Sequence, residues 1–212
     1  MSRLRELPDL SIAQKLMVFT LSMILFGLSS MAASLPPPVN FGPLTFSAGY
    51  FAFIPLIACI LFHPFYAAFG AAAGQLFVNG FIFSQVSGID GLEKFIALFL
   101  ALFIAGSLVK NPENKKQIAV AAISFAVIYF GIGSIADLLQ VAAGTAELEA
   151  LPGLAEVIIA IEIFSFFNAV LVSGILFGML PALYLAPRLN SQLQFLHRRS
   201  IVLKARRIRS FG

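Results

Sequence analysis

Cysteine is nearly absent from the sequence: Cys59 is the only one in 212 residues, so no disulfide forms within the chain. Lying in an apolar run, it reads as a small packed hydrophobe. Charge is also scarce, at 11% of residues against about 25% in soluble domains. No GxxxxGK[ST] phosphate loop and no HExxH zinc motif is present. Neither His63 nor His197 falls mid-membrane, where a serine–histidine pair would need it, and His63 beside Pro64 reads as a helix-end cap. These gaps speak against an enzyme and give no reason to expect a cofactor or a metal. No 20 to 50 residue repeat or inverted symmetry is visible, which disfavours secondary transporters built on such repeats.

What is present is apolar. Hydrophobic residues make up 59% of the chain, and the mean hydropathy is +0.94. A crossing takes about 20 residues, so the expected fold is an all-α membrane protein with six transmembrane helices and no separate soluble domain. Residues 1–15 form a cytoplasmic lead-in, 16–187 the six-helix bundle and 188–212 a basic cytoplasmic tail. The first run, Leu16 to Leu35, is long enough to span and is taken as retained, against the rival reading of a signal peptide cleaved near Ser30-Met31-Ala32. Pro36-Pro37-Pro38 ends it. The loop from Pro36 to Phe46 is uncharged and rich in Pro and Phe, and is expected to fold back over the outer face. The second run, Ser47 to Leu61, is short and turns at His63-Pro64 into the third, Phe65 to Gln85. Val86 to Gly91 reads as a turn. The fourth run is Leu92 to Val109, and a polar loop, Lys110 to Gln117, leads to the fifth, Ile118 to about Leu139. The sixth, about Gly153 to Leu185, exceeds one span, so it is tilted, kinked near Pro181 or longer than the bilayer is thick.

Charge sets the expected orientation. With both termini inside, thirteen of the fourteen basic residues are cytoplasmic: Arg3, Arg5, Lys15, Lys110, Lys115, Lys116, Arg188 and the six in the tail. Lys94 alone stays outside, with Asp90, Glu93, Glu147, Glu149 and Glu156. This is the positive-inside pattern. It argues for a multi-pass cell-membrane protein with a tail against anionic lipid, and not for nucleic-acid binding.

Polar groups inside a membrane are costly unless paired or facing water. Asn79, Asp137, Glu162 and Asn168 come from the third, fifth and sixth runs and share the outer half, so they are candidate substrate-binding residues. Glu162 is the sharpest of them, flanked by Ile159, Ile161, Ile163 and Phe164. Tyr50 and Tyr129 are candidate pocket aromatics. Gln75, amid small residues, reads as interhelical packing.

Two stretches carry a family resemblance. Asn40-Phe41-Gly42-Pro43-Leu44-Thr45-Phe46, followed by Ser47-Ala48-Gly49, and the segment from His63-Pro64 through Gly70-Ala71-Ala72-Ala73-Gly74-Gln75 are similar to the first loop and third-helix start of the substrate-binding S component of energy-coupling factor (ECF) vitamin transporters. Gln75 stands where that pattern tends to aspartate. Ser29-xxx-Ala33 and Ser30-xxx-Ser34 are small-residue substitutes for the docking face. The resemblance implies an S-component-like bundle that binds a small water-soluble micronutrient under a first-loop lid. It also implies a membrane coupling subunit and cytoplasmic ATPases as partners. A second reading is a non-transporting membrane scaffold of similar topology, such as a morphogenesis subunit, using its small-residue face and basic tail as interaction surfaces.

Overall fold

In the computed structural model, residues 10–33, 39–41, 44–46, 51–78, 80, 88–142 and 154–209 are described. The helices are α1 (Ile12–Ala33), α2 (Phe53–Leu61), α3 (Pro64–Phe77), α4 (Gly88–Leu108), α5 (Lys115–Ala142), α6 (Leu154–Ala169) and α7 (Leu180–Arg209). A π-helical segment, Val170–Met179, joins α6 to α7 without interruption. Among the described residues, four stretches are long and apolar enough to cross a membrane: Ile12–Ala33, Gly91–Leu108, Lys115–Leu139 and Ile161–Phe195. Six were expected. With 9 residues, α2 reaches only about 13.5 Å at 1.5 Å per residue, short of a hydrocarbon core of about 30 Å, whereas α3 covers 14 residues and keeps a helical backbone at Val78.

The fold is all-α, as expected, with one short hairpin beside the helices among the described residues. Val39–Phe41 (β1) and Leu44–Phe46 (β2) pair as an antiparallel hairpin, with Val39 opposite Phe46 and Asn40 opposite Thr45. Apolar and polar residues alternate on both arms, the period of a strand.

Helix directions follow from paired contacts. Gly70 and Gly74 of α3 lie against the backbone of Phe19 and Met23 of α1, so α1 and α3 run parallel. Ser29, late in α1, binds Phe51 at the start of α2: its hydroxyl donates to the Phe51 carbonyl at 3.1 Å and accepts from the Phe51 N–H at 2.8 Å. The chain therefore descends α2 and reverses at Phe62 and His63, where the backbone is extended. Pro64, at the first position of α3, has no N–H to satisfy there. His63 occupies the cap position without a side-chain cap bond; its ring packs on Tyr66 at 4.8 Å.

Aromatic stacking fixes α4 antiparallel to α3. Phe65 and Phe69 meet Phe99, and Phe65 also meets Phe103, edge-on at 5.6 to 6.1 Å, a favoured geometry for aromatic quadrupoles. At the end of α4, Gly106 lies so close to Cys59 and Pro64 that a Cβ there would fall 2.9 Å from each. Cys59 is fully buried, as expected of a packing residue.

The turn into α5 is held by side chains. Gln117 Oε1 accepts from the N–H groups of Lys110 and Asn111 at 2.9 and 3.0 Å, and Asn114 caps the helix through Lys116 N–H at 3.0 Å. Helix α5 then climbs back, and the last helix descends beside it, with Gly174 against Ala126 and Phe166 against Gly131.

The last apolar run, expected to be tilted, kinked near Pro181 or longer than the bilayer is thick, is one continuous 35-residue stretch, Ile161–Phe195, through Pro181. Winding widens before that proline, with Leu180 N–H donating to the Ile175 carbonyl five residues back, and the helix continues through Pro187 to Arg209. The expected turn at Val86 to Gly91 is likewise helical from Gly88 onward.

The core is built from small residues. Ala67, Ala68, Ala71, Ala72, Ala101, Ala105, Ala121 and Ala122 are fully buried beside Leu56, Ile60, Leu98, Leu102 and Phe125. The bundle has a basic end, with Lys15, Lys110, Lys115, Lys116 and Arg188, and an opposite end where Glu93, Asp137 and Glu162 gather.

Candidate functional site

At that opposite end, α4, α5 and α6 enclose a cavity of about 350 Å³, within the roughly 300–1,000 Å³ range of small-molecule sites. Helix α5 forms its floor. From Asp137 down to Tyr129 is eight residues, so the cavity enters the bundle by about 12 Å. Glu93 and Lys94 come from α4; Tyr129, Ser134 and Asp137 from α5; Glu162 and Ser165 from α6. Phe130 and Phe166 supply apolar wall, and Gly133 leaves open space, since a Cβ there would meet nothing within 4 Å.

Each polar group is placed by helical spacing. Tyr129, Gly133 and Asp137 stand four apart and so share one face of α5. Glu162, Ser165, Phe166 and Ala169 share a face of α6 in the same way. Because Phe166 packs at Gly131, Glu162 lies one turn nearer the rim, about level with Asp137, and both carboxylates line the cavity. Three carboxylates thus face one ammonium group. Among the described residues no three such groups gather as a metal site needs, so they act as separate charges around a space.

Tyr129 is braced from behind. Gln75 of α3 is 4% exposed, and its Nε2 donates to the Tyr129 hydroxyl at 3.0 Å. The other amide atom, Oε1, is buried without a hydrogen-bond partner among the described residues. Phe125 stacks on the Tyr129 ring at 5.8 Å, and Phe130 meets it edge-on at 5.1 Å. The ring is held in one position on the cavity wall.

Of the residues singled out from sequence, Asp137, Glu162 and Tyr129 line this one cavity. Asn168 is half-buried beside Ala169 and is not part of the lining. Tyr50 and Asn79 lie outside the described residues, as do Glu147 and Glu149. Glu93, Lys94, Ser134 and Ser165 were not foreseen as site residues. Lys94 carried a signal: it was the one basic residue on the acidic side.

The small-residue face of α3 is filled within the chain, because α1 lies directly on Gly70 and Gly74. Ser29, Ser30 and Ala33 of α1 are likewise buried. No curated protein and no solved structure matches the chain. A family described only as a family of unknown function, DUF8171, matches residues 17–197, most of the sequence, and the chain belongs to that family.

Proposed function

We propose that the protein captures a small, water-soluble, cationic or hydrogen-bonding molecule at the acidic end of a membrane-embedded bundle. The observation that carries this reading is the meeting of Asp137 and Glu162, from separate helices, in a ligand-sized cavity floored by a fixed tyrosine. A positive group on the ligand would sit between the two carboxylates and relieve their repulsion. Its flat or apolar part would lie against Tyr129, Phe130 and Phe166, and Ser134 and Ser165 would select hydroxyl or amide groups.

In the finer form of the proposal the chain makes six passes, with α2 and α3 as short second and third passes and both termini cytoplasmic. The alternating helix directions and the positive-inside pattern support it. The molecule is then an uptake subunit whose cavity opens outward, and its ligand is a micronutrient such as a vitamin or its precursor. The resemblance to S components further supports a lid near the hairpin and a coupling subunit with ATPases that delivers the ligand inside. The scaffold reading loses its main surface, because α1 already covers the small-residue face.

The test is purification of the full chain in mild detergent, with extraction and mass spectrometry of bound small molecules and identification of copurifying subunits. One cationic or strongly hydrogen-bonding species is expected, with occupancy at least about tenfold lower in Glu162→Gln, since a hydrogen bond to a charged group contributes about 1.5–3 kcal/mol. A ligand retained equally by Glu162→Gln and Asp137→Asn, or an empty protein with no coupling subunit, would refute the proposal.

A further inference from the structure

A second recess lies toward the basic end, between α1, α2 and α7, and is independent of the acidic cavity. It has a volume of about 320 Å³ and is lined by Leu21 and Leu25, Ile54 and Ile57, and Leu189 and Leu193, with Gln192 as its polar member. Leu21, Leu189 and Leu193 are 37%, 38% and 40% exposed, so the groove is open from the side. Its long walls run from Phe53 to Leu61 and from Leu185 to Leu193, eight residues or about 12 Å each. One leaflet of a hydrocarbon core of about 30 Å is about 15 Å deep. The groove therefore has the depth of a single leaflet.

Volume selects the occupant. A helix about 10 Å across would fill roughly 900 Å³ over that length, far more than the groove offers. An extended acyl chain, 4–5 Å wide at carbon contact distances, takes roughly 200 Å³. Charge selects the headgroup. Ala52 packs near Gly178, so α2 and α7 descend together and the groove ends near Gln192. One turn before Gln192, and about 40° around the helix from it, Arg188 lies with its guanidinium 3.8 Å over the Tyr184 ring. At the same end Lys15 reaches the Tyr66 ring at 5.6 Å, and the sequence beyond Leu193 adds six further basic residues before its end.

We propose that this groove is a lipid site: one acyl chain of an anionic phospholipid lies between α1, α2 and α7, and its phosphate headgroup meets Arg188 and Gln192. The second acyl chain stays in the bilayer. Basic recesses between transmembrane helices hold anionic headgroups in this way, and Arg binds phosphate through a planar fork that Lys lacks.

The test uses the full chain, delipidated in detergent and given an equimolar mixture of phosphatidylglycerol and phosphatidylcholine with identical acyl chains, read by native mass spectrometry. One retained phosphatidylglycerol is expected, preferred about fivefold, the effect of one basic side chain at a membrane surface. Arg188→Gln should remove the preference while lipid still binds. Leu189→Trp, at the open rim, should remove both lipids, whereas Ile123→Trp, on the exposed face of α5, should remove neither. Thermal unfolding of each variant checks that it is folded. Should Leu189→Trp prove unfolded, a photoreactive acyl chain on phosphatidylglycerol replaces it, labelling peptides of α2 and α7 in the wild type. Equal retention of the two lipids by the wild type would overturn the proposal. So would an unchanged preference in Arg188→Gln, or Leu189→Cys cross-linking to a second copy in phosphatidylglycerol vesicles.

Discussion

Adding one methyl group at Gly70 tests the seam between α1 and α3. A Cβ at that position would collide with the Phe19 carbonyl oxygen and lie 2.9 and 3.0 Å from its carbonyl carbon and Cα. All three are backbone atoms, so no rotamer change relieves the contact. Restoring the ordinary contact of 3.4 Å to the carbonyl carbon alone requires the helices to part by at least 0.5 Å, the difference between 3.4 and 2.9 Å. A gap of even 0.5–1 Å forfeits about a quarter to a half of the dispersion well, and Met23 against Gly74 would share the loss. Overpacking of this kind costs about 1–3 kcal/mol, here at the upper limit because backbone meets backbone. Alanine regains about 1 kcal/mol of helix propensity. The net expectation for Gly70→Ala is about 2 kcal/mol of destabilisation, about a 30-fold shift in the folding equilibrium. Reversible unfolding in mixed micelles, titrated with dodecyl sulfate and followed by circular dichroism, measures it. Gly133→Ala is the control, since its Cβ meets nothing within 4 Å, and it should be neutral or slightly stabilising. Equal stability of Gly70→Ala and Gly133→Ala would refute the close packing of α1 on α3. Gly74→Ala should behave as Gly70→Ala does, and the double variant should lose less than the sum, because parting the helices once relieves both contacts.

Ser29→Ala removes both bonds to Phe51 and leaves its partly buried N–H and carbonyl without the hydroxyl; about 1–3 kcal/mol of stability should be lost in the same titration, and an unchanged midpoint would contradict the anchor. Gln75→Leu should change stability by no more than about 1 kcal/mol, because a lost bond to Tyr129 is offset by removal of the unsatisfied Oε1; a loss above about 3 kcal/mol would show that Oε1 has a partner. For the proposed orientation, Asn114→Cys in a Cys59→Ala background should resist a membrane-impermeant maleimide in intact cells and react after permeabilisation, and labelling in intact cells would invert the topology.

Much of the helical plan was legible because hydropathy and punctuation agree: the long apolar runs, the reversal at His63-Pro64 and the polar turn at Lys110 to Gln117 all reappear as helix, hairpin and capped turn. Where α2 begins was not legible: the apolar run starts at Ser47 but the helix starts at Phe53, and an apolar composition alone does not say where a helix starts. In the loop before α2, the alternation of Val39-Asn40-Phe41 and Leu44-Thr45-Phe46 was a strand signal outweighed by the expectation of an all-helical bundle. A kink near Pro181 was one of three alternatives for the over-long last run; the winding that widens over Val170–Met179 carries the helix past a residue with no N–H to donate. At the cavity, Asp137 and Glu162 were visible as carboxylates in apolar runs. Glu93 and Lys94 were absorbed into the charge count, and the Gln75 to Tyr129 bond depends on α3 lying against α5, which spacing along one chain does not encode.

The uninterrupted winding from Leu154 to Arg209 sets a phase relation across the molecule. Glu162 at one end and Arg188 at the other are carried by the same helical body, 26 residues or about 39 Å apart. Between them the wide turns of Val170–Met179 fix the angle at which one residue is presented relative to the other. Deleting a single residue there would rotate everything beyond it by about 100°. Arg188 would then swing around the helix axis while Glu162 on α6 kept its place at the cavity. The length of this segment is thus as much a constraint on the protein as the identity of any side chain in it.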